Sequence, residues 1–145
     1  MKDKKIKAEL NTTTLRKFIP AGTAVLSFLI GWLWYSPLLF GKLWQKGAGK
    51  EGASSEGMLL PMIIHFMLLN VMAYGMRLLL YRVKVVNTLG AGAYCGLKLA
   101  VLFVATSLGT VYVYSGKPAF LTLWAIDAGY QVVILTVMGA ILAVF

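Results

Sequence analysis

The sequence predicts an all-α fold: a single polytopic transmembrane bundle of four spans, with a short interfacial helix after the first. Three observations predict it. The apolar residues gather in four blocks, each long enough to cross a bilayer, which takes about 20 residues. Hydrophobic residues make up 59% of the 145 and charged residues 13%, with mean hydropathy +0.78; soluble domains carry about 25% charged residues. Aromatics crowd into GWLWYSPLLFGKLW, residues 31–44, where the first apolar block ends. Amphipathic rings prefer the membrane–water interface, and a cluster at the end of a span marks it.

Each element follows in order. Residues 1–15 are polar and basic and are expected to be mobile. MKDKKIK before an apolar stretch has the look of a signal peptide, but no A-x-A-like site follows, so the first helix is read as retained. The first span is expected over 18–35, with Arg16 and Lys17 at its entrance and Pro20 in its first turn, where a missing N–H costs little. Trp32, Trp34 and Tyr35 then fall at the far interface. Ser36 followed by Pro37 has the pattern of an N-cap and first helical position. Leu38, Leu39, Phe40, Leu43 and Trp44, with Lys42 among them, give an interfacial helix over 37–45 its apolar side. A kinked continuation of the first span is the alternative. KGAGKEGASSEG, residues 46–57, reads as a flexible loop. Further spans are expected over 58–81, 88–114 and 119–145, the last two joined by a tight turn at SGKP, residues 115–118.

The net charge is +9, from 14 Lys and Arg against 5 Asp and Glu. No nucleic-acid motif accompanies it. Basic residues beside spans mark the cytoplasmic side and meet anionic lipid there. Lys2, Lys4, Lys5, Lys7, Arg16 and Lys17, with Arg77, Arg82 and Lys84, outnumber Lys42, Lys46, Lys50 and Lys117 on the other side. Both termini are therefore expected in the cytoplasm and the chain in the cell (inner) membrane. Cys95 stands alone inside an apolar block and builds no disulfide framework.

Small residues spaced four apart let helices approach in lipid. Ser27 with Gly31, Gly92 with Gly96, Ala125 with Gly129 and Gly139 with Ala143 supply four such pairs, packing either within one chain or between copies.

Polar groups in mid-membrane cost about 2.5–3.5 kcal/mol each when charged, so each needs a reason. The candidates are His65, Asn70, Lys98, Asp127, Tyr130 and Gln131. At a rise of about 1.5 Å per residue, His65 lies about 10 Å and Asp127 about 12 Å below the outer surface, while Asn70 is about 18 Å and Lys98 about 24 Å down. His65 and Asp127 match as a titratable pair; Lys98 does not match Asp127. Asn70, Tyr74 and Arg77 share a helical face, as do Tyr94 and Lys98, and Asp127, Tyr130 and Gln131. The simplest bundle turns all three stripes inward. Three readings follow: glue between helices, a path for a proton or solute, or an enzyme acting on a membrane-dissolved substrate. The last lacks support, because one His and one Cys build no recognisable metal site and no phosphate loop or nucleophile elbow is present. No enzyme activity, metal or cofactor is expected.

WYSPLLFGKLW in the first third and IDAGYQVVILTVMGAILAVF at the end resemble a family of small bacterial membrane proteins, domain-of-unknown-function family 1761. The matching residues are Trp34-Tyr35-Ser36-Pro37, Phe40-Gly41-Lys42, Trp44, Gly116-Lys117-Pro118, Asp127-Ala128-Gly129-Tyr130 and Met138-Gly139-Ala140. The pattern departs at Gln131, where His is common. The resemblance implies four spans and carries no reaction, substrate or cofactor. The expected function is a homo-oligomeric channel or transporter for a small solute, ion or proton. The alternative is an accessory subunit that touches another membrane protein through its helices.

Overall fold

The computed structural model describes residues 2–52 and 57–145; residues 53–56 of the Gly- and Ser-rich loop lie outside the described residues. The described residues are mostly helical, with turns between the helices and no strand among them. In order they form α1 (Lys2–Trp34), α2 (Gly41–Ala48), α3 (Leu59–Arg82), α4 (Leu89–Leu99), a π-helical stretch (Ala100–Ala105), α5 (Thr106–Val113) and α6 (Phe120–Val144). Helix runs on from α4 through the π stretch into α5. Four stretches are long and apolar enough to cross a membrane: Arg16–Trp34, Leu59–Arg82, Leu89–Val113 and Phe120–Val144. Each boundary lies within two residues of its expected place. At about 1.5 Å per residue, 24 or 25 residues reach about 36 Å, against about 30 Å of hydrocarbon.

Two expectations about α1 are corrected. The helix starts at Lys2 instead of near Phe18, so Pro20 falls in its interior. The first 15 residues hold neither Pro nor Gly, and eight of them are Lys, Leu, Glu or Ala, which are good helix formers. An interior proline removes the hydrogen bond to the carbonyl four residues back, here that of Arg16. Arg77 Nη1 donates to that carbonyl, and Tyr74 Oη donates to the next one, of Lys17, at 3.3 Å. The α3 stripe of Tyr74 and Arg77 therefore serves the backbone of α1 where its own ladder is interrupted.

The short helix is corrected too. It begins at Gly41 instead of Pro37, and Tyr35–Phe40 form a turn, not a continuation of α1. Ser36 Oγ donates back to the Leu33 carbonyl at 2.7 Å, and the Gly41 N–H donates to the Ser36 carbonyl at 3.0 Å. A Cβ at Gly41 would lie 2.2 Å from the Tyr35 carbonyl oxygen, so the tight turn requires glycine there. Gly116, in the left-handed region at φ 68°, closes the SGKP turn. Lys117 Nζ then reaches the Ala48 carbonyl at 3.3 Å, a cation on the last carbonyls of α2.

α6 is the axis of the bundle. Ten of its residues are buried, against three along the whole third span. It meets α4 backbone to backbone: a Cβ on Gly92 would lie 2.2 Å from the Gly139 carbonyl oxygen, and one on Gly96 would lie 2.0 Å from that of Leu135. Two of the four small-residue pairs thus pack against each other inside one chain. Ser27 and Gly31 of α1 face α6 at Tyr130. The apolar core below that level holds Leu69, Ala73, Met76 and Leu80 of α3 against Ile134, Met138 and Leu142 of α6. Outward, the spans present large apolar side chains such as Leu29, Leu68, Val71, Leu78, Leu102 and Phe103, the surface that lipid tails cover.

Candidate functional site: a carboxylate among tyrosines

WYSP at the end of α1 and DAGY in α6 stand 92 positions apart in sequence, yet they meet. Trp34 Nε1 donates to the Ile126 carbonyl at 3.1 Å, and Tyr35 Oη donates to Asp127 Oδ1 at 2.8 Å. Gly129 makes room for the Trp34 ring, since a Cβ there would lie 3.1 Å from it. Tyr112 of α5 donates its hydroxyl to the other carboxylate oxygen of Asp127. One carboxylate thus gathers two phenols, from α1's end and from the third span. Tyr35 is the first residue beyond the α1 span; burial pushes its phenol up, and the Asp127 carboxylate beside it adds to this. The hydroxyl therefore stays protonated, as a donor to Asp127 must.

Aromatic rings surround the pair. Tyr35 stands edge-on to Tyr130 at 5.4 Å and to Trp44 at 5.8 Å between ring centroids. Tyr130, only 2% exposed, donates to the Ser27 carbonyl at 3.3 Å and lies 3.2 Å from His65 Nε2. Its single proton is directed at Ser27, so the geometry assigns Nε2 of His65 as the donor to Tyr130, a tautomer inferred from the network.

The expected His65–Asp127 pair is therefore replaced. His65 bonds Tyr130, and Asp127 bonds Tyr35 and Tyr112. Depth counted along Cα positions missed Tyr35 and Tyr112, which start nearer the surface. Helical side chains lean toward their own N-terminus. Tyr112 leans inward from the end of the third span, and Asp127 leans outward from the start of α6, so a phenol bridges the gap. That lean, applied to the aromatics flanking each span, is the signal that would have found them.

The other candidates divide. Gln131 lies one turn below Asp127, and its Oε1 is buried with no hydrogen-bond partner among the described residues. Trp44 Nε1 is the second such atom among the described residues. Asn70 donates to the Phe66 carbonyl of its own helix at 2.9 Å. The Tyr94–Lys98 stripe turns outward, against expectation. The opposite face of α4, with Gly92 and Gly96, is the one that approaches α6 closely. Lys98 Nζ lies over the Tyr94 ring, 4.2 Å from its centre. The interfacial aromatics also divide: Trp32 is 69% exposed, Pro37 and Lys42 are exposed, and Trp34, Tyr35 and Trp44 pack partly inward.

The π stretch had no expectation attached to it. Its widened ladder is met by side chains: Thr106 Oγ1 reaches the Leu102 and Phe103 carbonyls at 2.8 and 3.0 Å, and Trp124 Nε1 donates to Ala105 at 2.8 Å. Among the described residues, His, Cys, Asp and Glu nowhere gather in a group of three that could hold a metal ion.

No curated protein and no solved structure matches the chain. The family model described as "Protein of unknown function (DUF1761)" matches residues 20–143. That match takes in the second and third spans, most of the first and fourth, and both stretches that meet at Asp127, and the chain belongs to this family.

Proposed function

We propose that the chain is a non-enzymatic membrane protein that takes up a proton or small cation at Asp127, from the side where the aromatics lie. The observation that carries this reading is the orphaned Gln131 oxygen one turn below the carboxylate. A buried acceptor without a donor calls for an explanation. A hydrated proton or cation resting between Asp127 and Gln131 supplies one. Intramembrane carboxylates commonly mark ion and proton pathways.

Within one copy the way onward is closed, because Leu69, Ala73, Met76, Ile134 and Met138 fill the space below. The reading therefore places the rest of the path between copies of the chain. The third span supports this with exposed polar residues Tyr94, Lys98, Thr106 and Thr110, spaced in multiples of four, which a second copy would shield from lipid. The surplus of Lys and Arg at the opposite end supports cytoplasmic termini in the inner membrane. The same exposed line favours a second reading, an accessory subunit that docks this face on another membrane protein.

The test is flux into liposomes holding a pH-sensitive dye under an imposed membrane potential. The wild-type chain should dissipate the gradient, while Asp127→Asn and Gln131→Leu should keep full helicity and lose the flux. Flux equal to wild type in a folded Asp127→Asn protein sinks the proposal. Cross-linking in native membranes separates the readings: copies of the chain linked through position 98 favour conduction, and one constant unrelated partner favours the accessory role.

A further inference from the structure

At the end of the bundle away from Asp127, α1 and α6 leave a shallow groove of about 260 Å³, lined by Ile19, Gly22, Thr23, Leu26, Ile141 and Phe145. Its walls are almost wholly apolar. The one hydroxyl, of Thr23, already donates to the Ile19 carbonyl at 2.8 Å, so the groove demands no hydrogen bond from an occupant. Gly22 opens it: a Cβ there would meet nothing within 4 Å, unlike those on Gly31, Gly92 or Gly139. The α1 wall runs from Ile19 to Leu26, about 10 Å along the helix axis.

The charge lies at one end of this groove. Arg16, Ile19, Thr23 and Leu26 follow the three-and-four spacing of a single helical face, so exposed Arg16 stands one turn beyond the groove in line with it. The Arg77 guanidinium is at the same level, because it donates to the Arg16 carbonyl. That bond engages one of its five N–H groups, and the others remain as donors. An apolar slot with Arg16 in line beyond it, and a second guanidinium at the level of Arg16, suits a phospholipid with a negative head group.

We propose that this groove holds an acyl chain of an anionic phospholipid whose phosphate rests on Arg16 and Arg77. Charge complementarity selects the lipid, and the absence of a side chain at Gly22 admits its tail. The site is separate from Asp127 and stands or falls independently of what that carboxylate does.

Native mass spectrometry of the full chain, equilibrated in detergent with phosphatidylglycerol or with phosphatidylcholine of the same acyl chains, tests it. Phosphatidylglycerol should be retained in preference. Gly22→Phe should abolish retention of either lipid. Arg16→Gln should lower the preference for phosphatidylglycerol about fivefold, as expected for one cation at a membrane surface. Added inorganic phosphate should leave retention unchanged, since the tail contributes to binding. Equal retention of the two lipids, or full retention by folded Gly22→Phe, overturns the proposal. Should that variant fold poorly, a photoreactive phosphatidylglycerol cross-linked to the wild-type chain decides instead. Its adducts should map to residues 19–26 and 141–145, and adducts confined to other helices overturn the site.

Discussion

The two halves of α6 are joined to their neighbours by different physics. Toward Val144, Gly139 and Leu135 touch α4 backbone to backbone, and the Asn87 N–H before α4 donates to the Ala143 carbonyl at 2.6 Å, with no polar side chain at the contact. Toward Phe120, Asp127 and Tyr130 reach α1, α3 and α5 through side-chain hydrogen bonds, and the Ile126 carbonyl takes the Trp34 indole. In lipid, helices gain little from the hydrophobic effect on meeting, so close van der Waals contact and hydrogen bonds must hold them. The chain uses one device at each end. Close glycine packing is stiff and leaves no room for solvent. Hydrogen-bonded side chains can exchange partners, which is why the proposed proton or cation site is placed at the polar end.

The glycine half should break most severely. Gly139→Leu places a side chain within 2.2 Å of the Gly92 carbonyl oxygen, and backbone cannot yield as a flexible side chain can. Overpacking of this kind costs about 3 kcal/mol or more. Loss of the folded, monodisperse species in detergent should follow. The polar half should give way less. Asp127→Leu strands the two phenols, for a loss of about 1–3 kcal/mol in detergent unfolding.

Smaller again is the tie at α1. Arg77→Leu should cost about 1 kcal/mol by stranding the Arg16 carbonyl, and less in a Pro20→Ala background, where the helix supplies its own N–H. A double-mutant cycle reads the difference. Tyr35→Phe should cost about 0.6–1.7 kcal/mol, the range for single hydrogen bonds in membrane proteins. Its pH dependence has a definite sign. The Tyr35 phenol is raised in the fold, so its contribution is whole below the ordinary phenol value of about 10 and fades as pH climbs beyond it. Alkaline unfolding should therefore be shallower in Tyr35→Phe. At the bottom of the scale, Gly22→Leu meets open space and should leave stability unchanged, which separates the close-packed glycines from the others.

The division between the halves also governs what could be read in advance. Spans are legible because twenty apolar residues in a row have few other uses, and the Gly92 and Gly139 pairs because a missing Cβ at helical spacing is itself the signal. At the polar end, sequence spacing gives the helix that carries each group but not its partner. Asp127 and Tyr130 face inward as their spacing requires, yet Tyr35 and Tyr112 reach Asp127 through ring length and side-chain lean, which Cα depth ignores. The Tyr94–Lys98 stripe predicts an inward Lys98, and the glycines on the other face of α4 override it. A first-turn Pro20 presumes a non-helical N-terminal segment, whereas α1 extends back to Lys2. The π stretch has no pattern of period or composition to announce it.

The central claim is a polar site open to one side of the membrane and closed below by apolar packing. Cysteine accessibility tests it most directly. In a Cys95→Ala background, Asp127→Cys and Met138→Cys are each treated in liposomes with a membrane-impermeant thiol reagent, applied from either side. The account predicts labelling at position 127 from the aromatic side alone and none at position 138. Labelling at 138, or at 127 from the opposite side only, would contradict it.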